Sequence, residues 1–258
     1  MTSKAYDYNK IAGRHVLIIG GTSGLGLAVA KATLFASGIV TISSSSPSRV
    51  SSTVQALTAE FPDAQVAGYA CDLSTDAVEA EIEALFAKLG RKVDHIVYTA
   101  GDPLAIAPLQ EITREKIVAA GQLRFVAPLL VAKVGSRYLE GGVESSITLT
   151  TASTWELPIP DWSIVAGYAA GVGGITRGLA LDLKPIRINA VSPGMVDTER
   201  WDALPPEQRE GLYAHYASKY LTGRVTGPGD VAEAYIYLMK DYNITGRVIG
   251  TDSGALIM

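Results

Sequence analysis

Seven short apolar runs, each separated from the next by a helical pattern, constrain this chain more than any other feature. They are HVLIIG (15–20), GIVTIS (38–43), AQVAGYA (64–70), HIVYTA (95–100), SSITLT (145–150), IRINAVS (186–192) and RVIGTDS (247–253). Runs that stay apolar on successive positions belong to strands covered on both faces, and the amphipathic stretches between them supply the cover. The pattern predicts an α/β fold: a Rossmann-type doubly wound parallel sheet of about seven strands flanked by helices, with ligands at the carboxyl ends of the strands. One domain spanning 1–258 accommodates the whole alternation. Residues 1–10 read as a mobile tail, and residues 197–226, rich in charge and proline, read as a substrate-side lid inserted after a strand.

Charge and composition then exclude several function classes. A net charge of −4 argues against nucleic acid as a partner. The opening MTSKAYDYNK has no apolar centre and does not read as a secretory signal. No run reaches the roughly 18 consecutive apolar residues of a membrane helix. A single cysteine, Cys71, excludes an internal disulfide and a cysteine-rich metal site. His15, His95 and His215 are scattered without metal-ligand spacing, so no metal is expected. The expectation is a soluble cytoplasmic protein acting on a small molecule.

The first strand is followed by Gly20-Gly21-Thr22-Ser23-Gly24-Leu25-Gly26 and then by an apolar helical stretch. Glycines let the backbone turn tightly and approach a pyrophosphate, and the helix N-terminus offers N–H donors and a positive dipole. Strand–turn–helix context gives this spacing its meaning; a plain βα turn is the alternative. Gly20, Thr22, Ser23 and Leu25 are therefore candidate dinucleotide contacts. The second strand ends in Ser43-Ser44-Ser45-Ser46-Pro47-Ser48-Arg49 without an acid. An acid there would bind ribose hydroxyls, whereas Ser44, Ser45 and Arg49 suit a 2′-phosphate, so NADP(H) is the expected cofactor. A solvated polar loop is the alternative. Asp72 and Leu73 follow the third strand, Ala100 and Gly101 the fourth, and Pro193, Val196 and Thr198 the sixth; all join the candidate cofactor set.

The glycine motif, Asp72, the Ala-Gly after strand four, Asn189-Ala190-Val191-Ser192-Pro193-Gly194 and Ile244-Thr245-Gly246 fall in one order and spacing. Together they resemble the short-chain dehydrogenase/reductase superfamily over essentially the whole chain. Two positions depart from it: Ile19 stands where a Thr is usual, and Tyr98 or Thr99 where an Asn is usual. The resemblance implies a seven-stranded parallel sheet, a dinucleotide across its carboxyl edge, and a homodimer or homotetramer. It also implies an Asn–Ser–Tyr–Lys tetrad in which Tyr protonates a carbonyl and Lys lowers the pKa of that Tyr. Aligning ITRGLALDLKPIRINAVSPG with the family's catalytic helix and following strand puts the tetrad positions at Arg124, Ala152, Val165 and Ala169. Tyr168 lies three residues past Val165, about 300° around a helix, near the place of the lost lysine and within possible reach of a ribose.

Arg124 is the most informative replacement. A guanidinium in an apolar pocket needs a partner. It either forms an ion pair with Asp102 or Asp161 or anchors a carboxylate, enolate or amide oxygen of the substrate. Trp155, Asp161 and Trp162 precede the helix in TTASTWELPIPDW. The indoles can stack on a bulky planar or polycyclic ligand or can plug the core. Asp161 can act as an acid, pair with Arg124, or cap the helix. LRFVAPLLVAK (123–133), PDWSIVAGY (160–168) and DVAEAYIYLMKDYNITG (230–246) are similar to a fungal branch of atypical short-chain reductases. That branch includes the bifunctional reductase/Diels–Alderases of bicyclic indole alkaloid biosynthesis. It implies NADPH, an Arg at position 124, loss of the Tyr/Lys pair, and an acid and a Trp on the loop. Trp162 matches the Trp; the acid's place is Ile159, two residues from Asp161. Arg124, Asp161 and Trp162 are the candidate catalytic residues. The resemblance implies hydride transfer from NADPH to an activated, iminium-like or conjugated acceptor, in secondary metabolism, with cyclisation as an added step. A non-redox cyclase or isomerase, and a non-catalytic NADP-binding protein, remain the alternatives.

Overall fold

The computed structural model describes residues 7–257. All seven expected strands form: β1 (His15–Ile19), β2 (Ile39–Ser44), β3 (Val66–Ala70), β4 (His95–Tyr98), β5 (Ser146–Thr150), β6 (Arg187–Pro193) and β7 (Val248–Thr251). They make one sheet in the order β3-β2-β1-β4-β5-β6-β7. Every neighbouring pair is parallel. The order reverses between β1 and β4, and this switch opens a crevice at the carboxyl edge.

Successive residues of each strand serve opposite faces. On one side Leu17, Ile96, Ile147 and Ile188 pack with residues of α3 (Val78–Lys88), α5 (Ala127–Gly135) and α6 (Ser163–Asp182). On the other Val16, Ile18, Val40, Val97 and Val191 pack with α1 (Gly24–Phe35) and α8 (Pro228–Lys240). Each such aliphatic side chain contributes about 1.5–3 kcal/mol by burial. The two-sided core is why the strand sequences are apolar throughout. The helix α2 (Pro47–Glu60) covers the β2–β3 end of the sheet.

Helix α4 (Arg114–Gly121) and α5 form one rod, Arg114–Gly135, interrupted by a single π turn at Gln122–Val126. This rod and α6 are each long and apolar enough by composition to cross a membrane, yet both pack against the sheet. The segment 197–226 folds as a 3₁₀ turn, Glu199–Trp201, and a helix, α7 (Pro206–Lys219). Its ends meet: Val196 bridges Thr226, and Asp197 N donates to Thr226 O at 2.9 Å. Trp201, Tyr213 and Tyr216 close it over Met195, Tyr220 and Ala255.

The expected mobile tail needs correction. Residues 1–6 lie outside the described residues, but Asn9 Nδ2 donates to Ala36 O at 3.2 Å and Lys10 Nζ to Lys240 O at 3.0 Å. Those bonds tie positions 9 and 10 to the ends of α1 and α8.

Candidate active site

The site starts at the β1–α1 turn. Gly20 has φ +93°, and a Cβ there would lie 2.5 Å from Ala100 N, so only glycine lets the turn press against the end of β4. Thr99 Oγ1 donates to Ile19 O at 3.2 Å and locks the two strand ends together. Thr22 is half-buried and Ser23, the N-cap residue of α1, is exposed. No acid lies in the first turn of α1, which leaves the helix end positive. A carboxylate from elsewhere sits on it: Gly24 N donates to Glu199 Oε2 at 2.9 Å. Leu25 packs against the core.

At the end of β2, Ser46 caps α2 by accepting from Arg49 N at 3.3 Å. The side chains of Ser45 and Arg49 stand exposed beside that helix end, with Ser44 half-buried. Among the described residues Arg49 has no ion pair. Serine hydroxyls, a guanidinium and a helix N-terminus without an acid form a cradle whose chemistry fits a phosphate. After β3, Asp72 Oδ1 accepts from Ser74 N at 2.9 Å and from Ser74 Oγ at 2.7 Å, and these bonds hold the carboxyl below its usual range. The Leu73 side chain is buried in the core, and its carbonyl accepts from Gln122 Nε2. Pro193 and Val196 are likewise buried, whereas Thr198 is half-buried, its Cγ2 3.6 Å from where a Gly24 Cβ would stand.

Arg124 projects from the π turn. A π turn leaves carbonyls out of α register, and Leu123 O is taken up by Tyr98 Oη at 2.6 Å. Gln122 Nε2 donates to Leu73 O at 2.9 Å, fixing the other side of the turn. The guanidinium meets the loop after β4: Arg124 Nη2 lies 2.6 Å from Asp102 O and 2.7 Å from Asp102 Oδ1. The second contact is an ion pair without hydrogen-bond geometry, and Arg124 Nε is buried without a hydrogen-bond partner among the described residues. The structure selects Asp102, and not Asp161, as the partner of Arg124. A second guanidinium enters from the segment 197–226, where Arg200 Nη1 donates to Asp102 O at 3.1 Å.

The helix α6 presents Val165 and Ala169, 4% and 8% exposed, toward the protein interior. Thr151 Oγ1 donates to Ala169 O at 2.7 Å, which seats this part of α6 on the end of β5; Ala152, next along the chain, is half-buried. Tyr168 faces elsewhere. Its hydroxyl donates to Ile117 O of α4 at 2.8 Å, and its ring packs on Phe125 with centroids 6.1 Å apart. The expectation that Tyr168 reaches a ribose is therefore corrected: one turn along the helix carries the phenol to the helix–helix seam, where Gly121 makes room for it.

Asp161 also differs from expectation. The N-cap residue of α6 is Trp162, with no side-chain cap, and Asp161 precedes it at φ +65°. This left-handed turn leaves Asp161 exposed while its carbonyl accepts from Ala107 N at 3.0 Å. Trp155 and Trp162 are half-buried, and the Trp155 indole N–H is buried without a hydrogen-bond partner among the described residues. Sequence reasoning missed Arg200, Glu199 and the support that Tyr98 gives the π turn. The run Thr198-Glu199-Arg200, charged and just past a strand end, was the available signal.

The family's sequence profile, an SDR-like Rossmann domain, matches residues 7–258. The chain belongs to the short-chain dehydrogenase/reductase family. It is 40% identical over 264 residues to the short-chain dehydrogenase/reductase fsr5 of Gibberella fujikuroi, covering 100% of each chain. It is 42% identical to the short-chain dehydrogenase/reductase malC of Malbranchea aurantiaca, covering 96% of each. The solved structure of MalC reductase/Diels–Alderase from that organism superposes with a TM-score of 0.92 at 41% identity, over 97% of this chain and 99% of that one. A small-chain dehydrogenase in complex with NADPH superposes with a TM-score of 0.77 at 26% identity, over 95% and 100% of the two chains.

Proposed function

We propose that this protein is an NADP(H)-dependent reductase of fungal secondary metabolism that reduces an already activated acceptor, iminium-like or conjugated. It does so without a Tyr–Lys acid pair. The single observation that carries this is the apolar inner face of α6, where Val165 and Ala169 are buried and the nearby phenol, Tyr168, is bonded to α4. An iminium carbon accepts hydride without a proton delivered to an oxygen, so an acid at that place is not needed.

NADP(H) would lie across Gly20, Thr22, Ser23 and Leu25, with Ser44, Ser45 and Arg49 at the 2′-phosphate. Asp72, the Leu73 backbone, Ala100 and Gly101 would line its middle, and Pro193, Val196 and Thr198 its nicotinamide end. Bound there, the cofactor supplies the hydride. Arg124, held by Asp102, orients an electron-rich oxygen of the substrate and keeps its own proton. Trp155 and Trp162 wall the chamber against a planar ligand, and Asp161 stands at its edge. The segment 197–226 is the lid of a single domain.

The test compares NADPH consumption with a cyclic iminium and with the matching ketone. Reduction of the iminium alone is expected; equal or faster ketone reduction overturns the assignment. Cyclisation in the same pocket is a second activity, favoured by the likeness to a protein called a reductase/Diels–Alderase. Product formation with no nucleotide present would make cyclisation the primary one. Nucleotide binding without turnover of either acceptor would leave a non-catalytic role.

A further inference from the structure

Two guanidiniums from distant parts of the chain converge on one glycine. Arg200 Nη2 comes to 3.5 Å, and Arg124 Nη1 and Nη2 each to 3.8 Å, of the point where a Gly101 side chain would begin. Both also address the same carbonyl, Asp102 O, at 2.6 Å from Arg124 and 3.1 Å from Arg200. Like charges this close repel unless an anion lies between them. Asp102 offers one carboxylate for two cations, and among the described residues its Oδ1 forms an ion pair with Arg124 and not with Arg200. The charge balance on Arg200 reflects the deficit. Burial of its charged end comes first in lowering its pKa, and Arg124 lowers it further by more than Asp102 raises it. Glu199, the neighbouring acid, is turned away to Gly24 N. The cluster thus carries one positive charge more than it neutralises, beside a glycine that leaves the approach open. Arg200 as a whole remains exposed, so part of its surface is available to a ligand.

We propose that Arg200 is a substrate-positioning residue which, with Arg124, forms a two-guanidinium seat for an anionic oxygen of the substrate, a carboxylate or enolate. This rests on the reductase assignment only in placing the substrate at the Gly101 edge. Because Arg200 rides on the segment 197–226, occupancy of the seat also draws that segment onto the substrate. Arg124 alone offers a single anchor; the pair selects substrates that bring negative charge to the β4 end.

A planar acid and its neutral counterpart test this without turnover. Binding of 2-naphthoate and 2-naphthamide to the protein saturated with NADP⁺ is measured for the parent, Arg200→Gln, Arg200→Lys and Arg124→Gln. The naphthoate should bind more tightly than the amide. Its affinity should fall about tenfold or more in Arg200→Gln, with partial rescue in Arg200→Lys. The affinity for NADP⁺, titrated separately, should stay within about twofold. Equal binding of acid and amide, or naphthoate binding unchanged in Arg200→Gln, overturns the seat. A loss of NADP⁺ affinity in Arg200→Gln also overturns it, by assigning Arg200 to the dinucleotide's diphosphate. Failure of iminium reduction with the naphthoate result intact would remove the reductase assignment and leave the seat standing.

Discussion

The proposed dinucleotide end and the proposed substrate end of this molecule are built in different ways. The first is local. Gly20 to Gly26 turn directly from β1 into α1, and Ser44 to Arg49 turn directly from β2 into α2. Each cradle is made by a few consecutive residues, and its geometry follows from strand, turn and helix alone. The second is assembled from separate pieces. Arg124 comes from a π turn, Asp102 from the loop after β4, Arg200 from the segment 197–226, and Val165 from α6. The difference predicts where mutations act under the proposed function: at the first end they should change affinity for the cofactor, and at the second what the pocket does.

The sharpest way to break that division is Arg124→Ala. Removing the guanidinium leaves Asp102 without its ion-pair partner and, in the proposed function, a substrate oxygen without its anchor. Turnover should fall by about a hundredfold or more, while NADPH affinity changes by less than about twofold. Equal losses in both would show that the two ends are not separable. Arg49→Gln addresses the other side. Steady-state kinetics with both nucleotides should show about a tenfold loss of preference for NADPH over NADH, with kcat for NADPH unchanged. A third experiment places a Tyr and a Lys at the two positions where the proposed function has no acid pair. The double substitution Val165→Tyr and Ala169→Lys should leave ketone reduction within about tenfold of the parent, since under the proposed function Ala152 and Arg124 would still misplace a carbonyl. It should also lower stability by about 1–3 kcal/mol in denaturant titration, because position 165 is only 4% exposed. The smallest effect is expected for Glu199→Gln. Weakening the carboxylate contact at Gly24 N should raise dinucleotide affinity about two- to fivefold, measured by cofactor fluorescence.

The same contrast explains what could be read from the sequence. All seven strands were legible, because a sheet covered on both faces writes continuous apolar runs into each strand. The glycine turn was legible for a similar reason: sequence neighbours are also neighbours in space. The partner of Arg124 was only narrowed to Asp102 or Asp161, since 22 residues separate the pair that forms. Tyr168 was placed by helical phase alone. Phase gives the side of a helix but not whether a neighbouring helix, here α4 with Gly121, will claim the side chain. Asp161 as a helix cap failed because Asp161 itself takes a left-handed turn and the helix starts one residue later, with Trp162 at its N-cap. Arg200 carried no periodic or spacing signal, and its meaning comes only from the fold of 197–226.

The π turn at Gln122–Val126 has a consequence for how such a pocket can diverge. One extra residue in a helical turn offsets everything on one side of it by about 100° relative to the other. The half of the rod that is bolted to the sheet, through Ala127, Val131 and Val134, keeps its orientation regardless. The upstream half is held through α6 instead, by Tyr168 at Ile117 and Gly121, and presents a different set of side chains. Gain or loss of a single codon at this point would re-index the wall facing the substrate while the foundation stays still, giving the lineage a cheap dial for new chemistry on an old frame.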